Sequence, residues 1–124
     1  MYELTVTSKF AAAHNLVNFE GPCENLHGHN WKVEVTVAGS ETDPAGMVVD
    51  FGELKKMTNS ILDELDHNYL NDLPAFKGCS PSSENIARHI YDRLAGMLKE
   101  KARVVKVTAW ESDTARVSYL GPDA

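Results

Sequence analysis

Along residues 2 to 10 apolar and polar positions alternate, with Tyr2, Leu4, Val6 and Phe10 on one side and Glu3, Thr5, Thr7 and Lys9 on the other. A period of two predicts a half-buried β-strand. Continued with even parity, it puts His14 on the apolar side, unless Ala11-Ala12-Ala13 holds a bulge that shifts it. Residues 15 to 26 contain Gly21-Pro22 and polar side chains and read as a loop. A second alternating run, from about residue 27 to 38, carries Trp31, Val33, Val35 and Val37 and stops at Gly39. Residues 41 to 46, with Asp43-Pro44 and a glycine, connect strands or extend a hairpin, and Met47-Val48-Val49 is a short apolar segment.

The period then changes. Asp50 with Glu53 three residues later reads as a capping box, and Leu54, Met57, Ile61, Leu62 and Leu65 share one helical face. Residues 66 to 74 break the pattern as a polar loop. Ser82 is placed to cap a second helix whose stripe is Ile86, Ile90, Leu94 and Met97 or Leu98. Alternation returns over residues 103 to 111 and 115 to 120, closed by Gly121-Pro122. The order strand, strand, helix, helix, strand, strand predicts an α+β fold: an antiparallel four-stranded sheet with two helices on one face. Such a sheet has two open edges, which oligomerisation into a barrel would close.

Composition narrows the class. A chain of 124 residues with 43% hydrophobic and 24% charged residues fits one domain over residues 1–124. A net charge of −6 and no basic cluster argue against nucleic acid or an anionic membrane as partner, though a few local cations could still receive an anionic substrate. No apolar leader or membrane-length run is present, and two cysteines make no disulfide framework, so a cytoplasmic location is expected.

The chemistry gathers around Cys23-Glu24-Asn25-Leu26-His27-Gly28-His29. Histidines two apart on a strand share a face, and His14 is the natural third partner. Three neutral imidazoles leave a fourth position for water or substrate, the pattern of a catalytic rather than structural zinc site, with the metal's identity open. Cys23 is either a small buried residue or, beside a metal, a thiol acidified enough to act as a base. Asp66-His67 is either an exposed polar pair or a carboxylate orienting an imidazole as proton carrier. Glu111 is either a turn residue or a carboxylate able to accept two N–H donors from a guanidine-like edge, as in a pterin or guanine. Lys9, Lys32 and Arg116 are candidate phosphate contacts by charge alone.

Phe10-Ala11-Ala12-Ala13-His14, Cys23-x-x-x-His27-Gly28-His29-Asn30, Asp50-Phe51, Leu65-Asp66-His67-x-x-Leu70-Asn71, Pro81-Ser82-Ser83-Glu84-Asn85 and Trp110-Glu111-Ser112 occur in this order. Over nearly its whole length the chain resembles the 6-pyruvoyltetrahydropterin synthase / 6-carboxytetrahydropterin synthase family. The resemblance implies a tunnelling (T-fold) subunit assembled through trimeric barrels into a homohexamer with active sites between subunits. It implies Zn²⁺ on His14, His27 and His29 and 7,8-dihydroneopterin triphosphate as substrate. It makes Cys23 the base, Asp66 and His67 a proton relay, and Glu111 the anchor of the pterin ring, with Ser82 as a further substrate contact.

Three residues between Cys23 and His27 resemble the 6-carboxytetrahydropterin synthases of the queuosine (7-deazapurine) pathway, which also release acetaldehyde; the pyruvoyl-forming type has a longer gap. Glu24 adds the E-x-x-H-G-H pattern of a third subtype, which cleaves the same substrate to 6-hydroxymethyl-7,8-dihydropterin for folate synthesis. Carrying both, the chain resembles the bifunctional subtype, with Glu24 either a second base or an idle loop charge. A binding protein without catalysis is the remaining alternative. Ser82 and Ser112 stand where Thr is usual in the family and keep a hydroxyl, whereas Ala11 replaces a common Ser or Thr and loses it.

Overall fold

The computed structural model describes residues 1–16 and 27–122, with His27 placed by its backbone. Its elements are β1 (Tyr2–His14), β2 (His27–Gly39), α1 (Phe51–Leu65), α2 (Ser83–Leu98), β3 (Arg103–Ser112) and β4 (Ala115–Tyr119). The strands form one antiparallel sheet in the order β1-β2-β3-β4, with both helices between β2 and β3. That is the predicted architecture.

β1 pairs with β2 without interruption from Tyr2↔Gly39 to His14↔His27, so the alanine run holds no bulge and even parity carries through to a buried His14. The register shifts fall instead between Thr36 and Val37 in the β2–β3 pair and between Trp110 and Ser112 in the β3–β4 pair. At the other end of β1 the expected pattern relaxes: Tyr2, paired with Gly39 at the last rung of the sheet, is exposed and Leu4 only half-buried.

Val6, Phe10, Trp31, Val33, Val35, Val37, Val107 and Ala109 make the buried face of the sheet. On it, α1 packs against β1, and α2 against β3 and β4. Leu54, Ile61, Leu62 and Leu65 of α1 and Ile86, Ile90, Leu94 and Leu98 of α2 are buried, at about 1.5–3 kcal/mol for each such side chain. Met57 packs only at the margin and Met97 is exposed, so Leu98 closes the second stripe.

Both caps form. The Asp50 carboxylate accepts from the Glu53 N–H at 2.9 Å, and the Ser82 hydroxyl accepts from the Asn85 N–H at 3.2 Å. The first capping box is half made, because the Glu53 carboxylate pairs with Lys101 instead (2.8 Å). Residues 66 to 74 are more structured than a polar loop: they contain short 3₁₀ turns at Leu70–Asp72 and Pro74–Phe76, and Leu70 is fully buried. Met47-Val48-Val49 forms no strand but buries Val49. No helix among the described residues is long and apolar enough to cross a membrane.

Candidate metal centre

Three adjacent strands bring their chemistry to the same end of the helix-covered face. His14 ends β1, His29 lies near the start of β2 opposite Ala12, and Glu111 lies near the end of β3; the His27 backbone pairs with His14, and the His27 side chain lies outside what the structure describes. Trp31 forms the floor. It stacks on Phe10 (centroids 5.9 Å apart, planes 7° apart) and meets His14 and His29 edge-on at 5.1 and 5.5 Å. A rigid aromatic plane thus orients both imidazoles, whose own centroids are 5.3 Å apart.

His14 is 1% exposed, and its Nδ1–H donates to the Pro81 carbonyl at 2.7 Å. A carbonyl can only accept, so this bond puts a proton on Nδ1, and in the neutral imidazole the lone pair is then on Nε2. That is the outer-shell arrangement of metal-ligating histidines. Glu111 Oε1 lies 3.6 Å from His14 Nε2 and 3.0 Å from His29 Nε2, and ligand atoms of the three residues lie within 4.8 Å of one another. With His14 neutral, its Nε2 lone pair and a carboxylate oxygen lie at a spacing that a cation between them would suit. Two imidazoles and a carboxylate fit a borderline divalent ion such as zinc.

Glu111 is held from behind. The Ser83 hydroxyl donates to Oε2 at 3.1 Å, and Ser83 is the first residue of α2, whose positive end favours a carboxylate. Neither Ser83 nor the Pro81 carbonyl was singled out by the sequence. One signal pointed toward Ser83: once Ser82 is committed to the helix cap, the next hydroxyl is the one able to turn elsewhere. Ser82 itself uses its oxygen on Asn85.

Asp66 and His67 make their expected pair, His67 Nδ1 lying 2.8 Å from Asp66 Oδ2, but outside the histidine–glutamate cluster. They belong to a corner that covers the outer edge of β1. The Ala11 N–H donates to Asp66 Oδ1 (2.8 Å), the His67 N–H to the Ala11 carbonyl (2.6 Å) and the Ala13 N–H to the Asn68 carbonyl (3.1 Å). The Ala11 N–H, above all, holds the Asp66 carboxyl below its ordinary range. His67 takes a left-handed backbone (φ 58°) and its side chain is 83% exposed. An ordered carboxylate thus aims an imidazole outward, where a second molecule can reach it. Cys23 and Glu24 lie outside the described residues. Cys79 is exposed and stands apart from the cluster.

The family model for 6-pyruvoyl tetrahydropterin synthase matches residues 3–122. A 6-pyruvoyl tetrahydrobiopterin synthase from Homo sapiens is 41% identical over 119 residues, covering 92% of this chain and 81% of the relative. A 6-carboxy-5,6,7,8-tetrahydropterin synthase from Bacillus subtilis is 33% identical over 126 residues, covering 95% and 84%. The solved 6-pyruvoyl tetrahydropterin synthase of Caenorhabditis elegans superposes with a TM-score of 0.86 at 32% identity, over 97% of this chain and 95% of that one. The architecture is therefore that of the T-fold pterin synthases, and the chain belongs to the 6-pyruvoyl tetrahydropterin synthase family.

Proposed function

We propose that the protein is a zinc-dependent lyase that converts 7,8-dihydroneopterin triphosphate to 6-carboxy-5,6,7,8-tetrahydropterin, releasing triphosphate and acetaldehyde. The observation that carries this reading is the convergence of His14, His29 and Glu111, with the His14 Nδ1–H donating to Pro81. His14, His27 and His29 would hold the metal, His27 taking the strand position opposite His14 as third donor, so that Glu111, whose oxygen approaches both described imidazoles, is left to face the substrate beside the ion. When bound, zinc supplies Lewis acidity that makes the hydroxyls of the substrate side chain easier to deprotonate.

The protein's own groups do the rest. Glu111, braced by Ser83, accepts N–H donors from the pterin edge and orients the ring; Ser82, the N-cap of α2, is a further substrate contact in this reading. Cys23 takes a proton from the side chain as thiolate. Asp66 keeps the proton of His67 on Nδ1, so Nε2 can collect and return a proton at carbon. The outward aim of His67 supports a site completed by a neighbouring subunit, as does the family's barrel assembly, a homohexamer whose sheets close on one another. A cytoplasmic queuosine-pathway enzyme of one domain is the corresponding biological assignment.

Two observations favour neighbouring chemistries. The human relative at 41% identity is a pyruvoyl synthase, and Glu24 gives the chain a second candidate base, for cleavage to 6-hydroxymethyl-7,8-dihydropterin. Against the first stands the three-residue spacing from Cys23 to His27. Products of the Cys23→Ala and Glu24→Ala variants separate these readings. The proposal expects Cys23→Ala to lose the carboxylated product and Glu24→Ala to keep it. Retention of all carboxylated product by Cys23→Ala would overturn the assignment of the base.

A further inference from the structure

The helix-free face of the sheet carries a row of cations at the same end of the strands as the metal centre. Lys9 pairs with Lys32, Lys32 with Trp110, and Trp110 with Arg116, so one transverse row crosses all four strands. Their neighbours Phe10, Trp31 and Ala109 are buried under the helices, which puts this row on the opposite surface. Lys32 Nζ sits 5.0 Å from the centre of the Trp110 ring and the Arg116 guanidinium 4.7 Å from it. Trp110 is itself fixed, its indole N–H donating to Glu34 at 2.9 Å. Two long, flexible cations are thereby pre-organised on one aromatic plate.

This arrangement works against folding unless something rewards it. Lys9 and Lys32 are like charges directly opposite on neighbouring strands, a destabilising pair. The chain has a net charge of −6, yet three of its twelve Lys and Arg residues stand in one row. Glu34, 3.9 Å from Lys32, offsets only part of that charge. Beside the row a cleft of about 210 Å³ is lined by Asn30, Lys32, Trp110, Ser112 and Asp113, adding an amide and a hydroxyl able to donate.

We propose that Lys9, Lys32 and Arg116 form an oligophosphate-binding site on the helix-free face, separate from the metal centre. Arg116 offers a planar fork for two phosphate oxygens and the lysines two point charges. The strip is one residue deep, with Glu34 on one side and Asp113 on the other. A nucleic acid backbone would have to run over those carboxylates, whereas a short phosphate chain lies within the row. The oligophosphate is either free or the chain of the substrate read above, and only this choice of source rests on that reading.

The test titrates tripolyphosphate into zinc-loaded protein, with calorimetry and tryptophan fluorescence as readouts. The site predicts one tripolyphosphate per chain, at least tenfold tighter than orthophosphate. Lys32→Gln and Arg116→Gln should each weaken it at least tenfold and flatten its salt dependence. Lys55→Gln, the same charge change on exposed α1, should leave it within twofold, with zinc content and melting unchanged in every variant. Absence of binding, or equal weakening by Lys55→Gln, would overturn the site. Displacement by 7,8-dihydroneopterin triphosphate but not by dihydroneopterin supports the site with the substrate's chain as source. Failure of both to displace it supports the site as one for free oligophosphate. A protein that binds tripolyphosphate through Lys32 and Arg116 but turns over no pterin keeps this site and loses only the catalytic reading.

Discussion

His14 donates its Nδ1 proton to the carbonyl of Pro81, 67 residues away, and this single 2.7 Å bond joins the end of β1 to the entrance of α2. It makes the candidate metal centre and the packing of α2 parts of one structure.

His14→Ala should therefore fail twice. It strands a buried carbonyl and opens a cavity, a loss of about 2–4 kcal/mol, and it removes a ligand. Zinc per chain should fall well below one, and a chelator should lower the melting temperature of the wild type while leaving that of the variant unchanged. Full zinc occupancy in His14→Ala would contradict the donor set.

Ser83→Ala removes the hydroxyl that braces Glu111. The expected loss is about 1–2 kcal/mol, or roughly 5- to 30-fold in kcat/KM, carried mainly by KM if Glu111 orients the ring. Ser83→Thr should restore most of it and Ser82→Thr should change little. Equal zinc content in all three variants separates this effect from loss of metal.

The left-handed backbone at His67 costs a non-glycine residue about 1 kcal/mol, a strain at the position to which the proposed reaction assigns proton transfer. His67→Gly should thus be more stable than His67→Ala by about that amount, with both equally impaired in turnover. Urea unfolding of the two variants decides it.

Acid should destabilise the protein in two stages. Burial first of all lowers the pKa of His89 from its ordinary 6.5. The Arg93 hydrogen bond lowers that of Glu64 from 4.5, and the Ala11 N–H that of Asp66 from 3.8. For each group the unfolded chain binds the proton more readily, so stability is present above the ordinary value and lost as pH falls through the folded one. Melting temperatures should begin to decline below about pH 6.5 and fall further below about pH 4.5. His89→Gln should remove the first stage, and Asp66→Asn should soften the second.

The elements and the buried histidine were legible because the period of the side chains is local: alternation through Phe10 and Ala12 leads directly to His14. The Asp66–His67 pair was legible for the same reason, being neighbours in sequence. What the sequence concealed depends on chain geometry over long separations. Tyr2 follows the alternation yet is exposed, at the last rung of the sheet opposite Gly39. Choosing Ser83 over Ser82 as the brace for Glu111 requires knowing the angle at which α2 meets β3. The alignment of Lys9, Lys32 and Arg116 required the register of three strand pairs, which no single run of residues encodes.

The most direct test of the central claim is the product formed when zinc-loaded wild-type protein meets 7,8-dihydroneopterin triphosphate under anaerobic conditions, with pterins separated by mass. The account predicts 6-carboxy-5,6,7,8-tetrahydropterin, with triphosphate and acetaldehyde in equal amounts. A pyruvoyl product alone would contradict the assignment drawn from the Cys23–His27 spacing, and the absence of any turnover would contradict the catalytic reading of the His14, His27 and His29 centre.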